Sequence, residues 1–278
     1  MNVRTVTSAA AYALPPGNVH IQFSGGRTSA YMLRHILDAN GGLPDRAEVV
    51  FQNTGREMPE TLDFVHECGV RWGVPITWLE YQAEAPRFRV VSHNSASRDG
   101  EPFAALIRKR GFLPNRVARF CTAELKVHCA SRYAKSRGWK RWTSALGIRA
   151  DEPRRLAGEP PKERWAPWYP LAAAGVTKRD VVRWWERQSF NLRLVNVRGV
   201  TPLGNCDGCF LKSEANRAAL AREHPERFAW WVAQERAVGG TFRPAQPYAA
   251  LAEFVTRQGD WVFDMEGALC QADEGECT

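Results

Sequence analysis

No stretch of this 278-residue chain approaches 18 consecutive apolar residues, so no membrane-spanning helix is expected. Residues Met1–Pro16 hold an Ala-rich patch but no charged segment followed by an apolar one, and a cleaved export signal is not expected. Internal repeats and low-complexity linkers are also missing. So are the Walker A spacing and the dinucleotide-binding glycine fingerprint. The cysteines number seven, an odd count in a chain of this length. Without an export signal they read as thiols or metal ligands in a reducing compartment rather than a disulfide framework, and a cytoplasmic protein is expected.

What is present can build a substantial core. The chain is 44% hydrophobic, enough for one large domain or a domain with a small appendage. Its net charge of +8 is uneven: Arg87 to Arg164 carries 19 Lys and Arg against 7 Asp and Glu, and the remainder 19 against 23. The basic stretch is either a solvated surface or the place where a polyanion binds.

Apolar runs at Val19–Phe23, Ala47–Phe51 and Pro75–Leu79 read as strands, with helical patterns over Ser29–Ala39 and Pro59–Trp72 between them. Such alternation predicts βαβ units and a parallel sheet. Ser92–Gly100 reads as a loop, Thr122–Arg137 as a basic helix and Trp139–Leu146 as a fourth strand. Ala150–Pro170, with five prolines, reads as irregular. Thr177–Gln188 is a helix with Thr177 as N-cap and Asp180 in its first turn. Beyond Gly199 a cysteine-bearing turn leads into a helical region over Ser213–Ala237. The fold expected is α/β, a doubly wound and mostly parallel sheet over 17–200, with a small cysteine-bearing helical region, 201–278, packed on it.

Ser24-Gly25-Gly26-Arg27-Thr28-Ser29 follows the first strand and opens the first helix. Glycines let the backbone approach a phosphate, and successive amides at a helix N-terminus form an anion cradle. Ser24, Thr28 and Ser29 can add hydroxyls, and Arg27 a charged fork. A plain strand–helix connection would also accommodate these residues.

This turn resembles the PP-loop, Ser-Gly-Gly-x-x-Ser, of the N-type ATP pyrophosphatases and the sulfonucleotide reductases. Asn53-Thr54-Gly55 with Met58-Pro59-Glu60-Thr61 is similar to a stretch of the phosphoadenosine phosphosulfate (PAPS) reductase family. Arg119-Phe120-Cys121-Thr122 with Leu125-Lys126-Val127 resembles a second, and Gly147-Ile148-Arg149-Ala150-Asp151-Glu152 with Arg154 and Arg155 a third. The four motifs stand in the family's order over residues 20–155. The chain departs from the pattern at Arg27, where Lys is common, at Thr28, where Asp is common, and at Pro153, where Ser is typical. The resemblance implies an adenine nucleotide alpha hydrolase-like fold and an adenine nucleotide, PAPS, adenosine phosphosulfate or ATP with Mg2+. Ser24, Gly25, Gly26, Arg27, Thr28, Ser29, Thr54, Gly55, Gly147, Arg149 and Arg155 would hold it.

Cys206-Asp207-Gly208-Cys209 is a C-x-x-C turn, which by itself suits a zinc half-site, a redox pair or two packed thiols, and with distant cysteines an iron–sulfur cluster. The resemblance to the cluster-bearing reductases implies a [4Fe-4S] cluster, with zinc as the alternative, on Cys121, Cys206, Cys209 and Cys270. Cys277 and Cys129 are the further choices for the fourth ligand, although Cys129 lies two helical turns, ~12 Å, from Cys121. Cys68 reads as a buried core thiol. Glu276-Cys277 resembles the catalytic Glu-Cys segment of the reductases, with Thr278 where they have Gly, so Cys277 is the expected nucleophile; an idle tail thiol or a Cys270/Cys277 pair is the other reading.

Trp184-Trp185 and Trp230-Trp231 read as core aromatics, with base stacking beside a basic surface as the other reading, and His93 and His128 have no visible partner at catalytic spacing. Arg108-Lys109-Arg110 and Arg132 to Arg141 could meet a nucleic acid or a 3′-phosphate. Three functions follow. The first is a PAPS reductase-like enzyme. The second is an ATP pyrophosphatase that thiolates tRNA or DNA, using the basic segment 87–164 and a cluster. The third is a nucleotide- or nucleic-acid-binding module without catalysis.

Overall fold

The computed structural model describes residues 8–157 and 163–258. Six strands form one sheet: β1 (Val19–Gln22), β2 (Ala47–Asn53), β3 (Ile76–Glu80), β4 (Arg89–Val91), β5 (Trp142–Ala145) and β6 (Trp165–Trp168). Their order is β4-β3-β2-β1-β5-β6. All neighbours are parallel except β3 and β4, where Trp78 pairs with Val91. The helices are α1 (Ser8–Ala11), α2 (Arg27–Asn40), α3 (Pro59–Trp72), α4 (Glu101–Arg110), α5 (His128–Ser136), α6 (Pro153–Leu156), α7 (Pro170–Ala173), α8 (Lys178–Trp185), α9 (Glu214–Glu223), α10 (Pro225–Val238) and α11 (Tyr248–Gln258).

Strand β2 explains why helices cover both faces. Val49 and Phe51 join the main core with Leu33, Ile36 and Phe64 of α2 and α3, while Val50, pointing the other way, packs with Leu79, Cys129 and Ala130. A strand buried on both faces reads as an unbroken apolar run, which is how Val49-Val50-Phe51 reads. The α/β, mostly parallel architecture is the one expected from the sequence.

The differences are local. Strand β4 and helices α4 and α11 had no expected counterpart. β6 lies inside the stretch expected to be irregular, because Pro167 argues against a strand; β6 is the sheet's edge, where proline is tolerated. The helix expected over Thr122–Arg137 begins as a π-helix, Thr122–Val127, and turns α at His128. His224-Pro225 splits the expected Ser213–Ala237 helix into α9 and α10, since proline cannot continue α9 but starts α10 well. The cap of α8 is as expected: Asp180 Oδ2 accepts from the Thr177 amide at 2.9 Å and from its hydroxyl at 2.6 Å. Cys68, Trp185 and Trp231 are buried core residues.

Candidate functional site

From β1 the chain steps outward through β2 and β3, then crosses back to place β5 and β6 on the other side. The carboxyl ends of β1 and β5 therefore flank a topological switch point, where ligands of open α/β sheets bind. Ser24–Ser29 sits there, between β1 and the start of α2. The Ser24 amide donates to Ser29 Oγ at 3.2 Å, the two hydroxyls are 2.9 Å apart, and Ser29 Oγ donates to Gly26 O at 3.0 Å. The first helical bond is Ala30 N to Gly26 O, 3.0 Å, so the amides of residues 27–29 precede it and face the turn with the positive end of the helix dipole. Gly25 has φ +77°, and a Cβ there would lie 2.7 Å from Thr61 Cγ2. Only glycine fits that position. At Gly26 a Cβ would meet nothing closer than Ser24 Oγ at 3.8 Å, so its bareness leaves the backbone open to a ligand.

Arg27 does not offer its fork to the turn. Its Nε donates to Asn191 Oδ1 (2.8 Å), one Nη to Thr201 Oγ1 (2.9 Å) and the other to the carbonyls of Leu192 (2.6 Å) and Leu194 (3.0 Å). Burial lowers this guanidinium to about 10. The expected phosphate ligand is thus a latch on the loop after α8, because four acceptors already surround it. Arg149 does reach the turn: it is 2% exposed, donates to Asp151 Oδ1 at 2.9 Å and lies 3.4 Å from Thr28 Oγ1. Gly55 is closely packed. With φ +79°, it packs so tightly that a Cβ would lie 2.9 Å from Gly100 Cα.

A cavity of about 1330 Å³ opens at the switch point. Ser24, Ser29, Gln52 and Thr54 line its sheet side, Ser144 and Gly147 follow from β5, and Cys121, Cys206 and Cys209 line it as well. Arg116, Arg119, Lys126, Arg154, Arg155 and Lys212 bring positive charge to the same space. A smaller cavity of about 50 Å³ is lined by Gly25, Gly26, Arg27, Thr28 and Arg149. The expected nucleotide residues thus divide between two cavities that share one turn, apart from Gly55.

The C-x-x-C turn is pinned from beneath by residues that sequence reasoning missed. Asp207 is fully buried, and its carboxylate accepts from Arg56 (2.7 Å), Arg227 Nε (2.6 Å), Trp231 Nε1 (2.8 Å) and the Gly208 amide (2.7 Å). Tyr248 donates to Gly208 O at 2.6 Å, Lys212 Nζ to Asp207 O at 3.0 Å, and Asp207 N to Arg56 O at 2.8 Å. A Cβ on Gly208 would lie 2.3 Å from Trp231 Nε1. One signal was available: an acidic residue inside a C-x-x-C turn that no function required.

Thr54 links this turn to the sheet. Its hydroxyl lies 2.8 Å from Glu57 Oε2 and 3.4 Å from Cys206 Sγ, and residues 57 and 206 form an antiparallel bridge. Burial raises the Glu57 carboxyl above the usual range, opposed first by the Lys126 ammonium and then by the Thr54 bonds.

Some cations of the basic segment are engaged within the protein and others line the large cavity. Arg89 pairs with Glu80, Arg110 and Arg132 with Glu124, and Arg137 with Glu48, while Lys109 donates to Ala83 O. Arg116, Arg119, Lys126, Arg154 and Arg155 line the large cavity. His93 lies 2.8 Å from Asp63 and His128 3.6 Å from Glu124, and neither lines the large cavity.

The chemistry of three cavity-lining thiols suits iron–sulfur ligation. However, among the described residues no three Cys, His, Asp or Glu side chains converge on one ion. The described residues alone therefore do not make the four-thiolate or zinc site that the resemblance implies. Cys270, the expected fourth ligand, and Cys277, the expected nucleophile, lie outside the described residues. Cys129 is buried in the second core cluster, and burial pushes its thiol up to about 12.

No family model matches the chain. It is 32% identical over 202 residues to the uncharacterized nin region protein ORF290 of Escherichia phage lambda, a match spanning 69% of this chain and 66% of that protein, just under two thirds of its length. A PAPS reductase from Candida auris, solved as a phosphate complex, is 15% identical with a TM-score of 0.43, covering 65% of this chain and 79% of that one. The U34-tRNA thiolase NcsA from Methanococcus maripaludis, solved with its [4Fe-4S] cluster, is 12% identical with a TM-score of 0.45, covering 84% and 78%. Both likenesses are distant, and no residue role is carried over from either. No helix among the described residues is long and apolar enough to cross a membrane.

Proposed function

We propose that the chain is a PP-loop enzyme that binds an adenine nucleotide at Ser24–Ser29 and uses it in sulfur chemistry. The observation that carries this reading is the shared cavity: Ser24 and Ser29 of the phosphate turn, Cys121, Cys206 and Cys209 all line it. Amides at the start of α2 hold phosphate oxygens, and Arg149 and Arg155 neutralise charge as phosphorus or sulfur is attacked. With a sulfonucleotide, a thiolate forms a bond to the sulfonyl sulfur while the bond from that sulfur to the phosphate oxygen breaks, and the nucleotide leaves as a phosphate. A second thiol then attacks the first, releasing sulfite and leaving a disulfide. Cys277 is the nucleophile the resemblance implies.

The cavity volume favours a second reading. About 1330 Å³ exceeds the ~300–1,000 Å³ of an ordinary small-molecule pocket, leaving room for a second substrate beside the nucleotide. With ATP and Mg2+, an oxygen of tRNA or DNA would attack the α-phosphorus and pyrophosphate would leave on the turn. Hydrosulfide from an external sulfide-level donor would then bond to the activated atom of the nucleic acid as its bond to the adenylate oxygen breaks and AMP leaves. Arg116 and Arg119 would meet the polynucleotide.

Anaerobic purification followed by iron and sulfide analysis, with assays for sulfite from PAPS and pyrophosphate from ATP, separates these. Sulfite formation supports the reductase. Pyrophosphate release without sulfite overturns it in favour of adenylation. Nucleotide binding with neither product leaves a binding module.

A further inference from the structure

The latch formed by Arg27 raises the question of which cation answers the phosphate chain of a nucleotide on Ser24–Ser29. On the nucleotide reading above, we propose that it is Lys178, the first residue of α8, a position to which no sequence motif points.

Lys178 lines both cavities that meet at the turn: the large one with Ser24 and Ser29, the small one with Gly25, Gly26 and Thr28. Its backbone is fixed, since its amide donates to Asp151 Oδ2 at 2.9 Å. The other oxygen of that carboxylate holds Arg149 Nε, also at 2.9 Å. One acidic residue therefore ties the Lys178 backbone to the Arg149 guanidinium. The stem of Lys178 is guided by Gly199, where a Cβ would lie 2.7 Å from Lys178 Cγ. Gly199 belongs to the same loop that Arg27 latches through Leu192, Leu194 and Thr201. Arg27 thus shapes the groove along which Lys178 reaches the turn. A second polar residue lines the small cavity: Thr61 is 1% exposed, and its Oγ1 has no hydrogen-bond partner among the described residues. A buried hydroxyl without a partner is disfavoured, and a phosphate oxygen between Thr61, the amides of the turn and Lys178 would satisfy it. A long-stemmed ammonium suits this role, because it is a point charge that can follow a flexible phosphate chain.

The test uses the full chain and calorimetric binding of ATP, PAPS, inorganic pyrophosphate and AMP. Lys178→Gln keeps the stem against Gly199 and removes the charge. It should weaken ATP, PAPS and pyrophosphate at least tenfold and AMP less than twofold, while Lys178→Arg should retain most of the affinity. On the unaltered chain, ATP or pyrophosphate should also slow acetylation of Lys178, read by peptide mass spectrometry, and AMP should not. Unchanged ATP affinity in Lys178→Gln, an equal loss for AMP and ATP, or unprotected acetylation overturns the assignment and leaves nucleotide binding intact. If the unaltered chain binds none of the four, the nucleotide reading fails and the assignment fails with it.

Discussion

Three buried residues show how much of the molecule depends on single positions. Asp207 neutralises Arg56 and Arg227, whose side chains are 3% and 12% exposed. Removing it strands two cations in the interior, which costs about 3–5 kcal/mol. Asp207→Ala should therefore lower the urea midpoint strongly and disturb both cysteines of the turn. Gly25→Ala puts a methyl 2.7 Å from Thr61 Cγ2 at a φ of +77°; a loss of about 1–3 kcal/mol is expected, along with nucleotide binding. His20 lies fully buried on β1 against Trp139, with ring centroids 4.7 Å apart, and burial pushes it down to about 3 from 6.5. Between those values the unfolded chain binds the extra proton, so stability is complete above pH 6.5 and falls as pH drops toward 3. The slope reaches about 1.4 kcal/mol per pH unit. His20→Phe should flatten that part of a stability–pH profile measured by denaturant titration; an unchanged slope would show that other groups carry it.

Among the elements, α8 joins the candidate phosphate site to the core. Its C-terminal end buries Trp185, whose Nε1 donates to Arg27 O at 2.8 Å, and its N-terminal end carries Lys178. The cap that starts it was legible from Thr177 and Asp180 because capping is local chemistry, decided within four residues. Asp180→Ala should cost about 1 kcal/mol and should weaken nucleotide binding as well if α8 presents Lys178. The π-helix at Thr122–Val127 was not legible. Its residues suit an α-helix equally well, and the wider turn brings Thr122, Leu125, Lys126 and Val127 to the cavity beside Cys121. Such distortions collect at functional sites, but their cause lies in tertiary packing.

At the scale of the whole molecule, the sheet order sets where everything converges. β1 and β5 are adjacent although more than a hundred residues separate them, and their carboxyl ends form the crevice. A ligand bound there contacts both halves of the sheet and the α8–α9 loop. It should therefore stabilise the fold as a unit, by about 2.7 kcal/mol at a hundredfold excess over its Kd. A thermal-shift series with ATP, PAPS and AMP checks this, and no shift with any of them would argue against a nucleotide site.

The sequence by itself determined the alternation of strands and helices, the phosphate turn and the C-x-x-C turn. Each depends on neighbours within a few residues: apolar runs, glycines at a strand end, a cap. Only the tertiary structure decided what the polar side chains do. Arg27 looks like a phosphate ligand until Asn191, Leu192, Leu194 and Thr201 surround it. Asp207 looks incidental until Arg56 and Arg227 converge on it. A charged side chain several bonds long takes its role from whichever partners burial brings within about 3 Å, and long-range contacts select those partners.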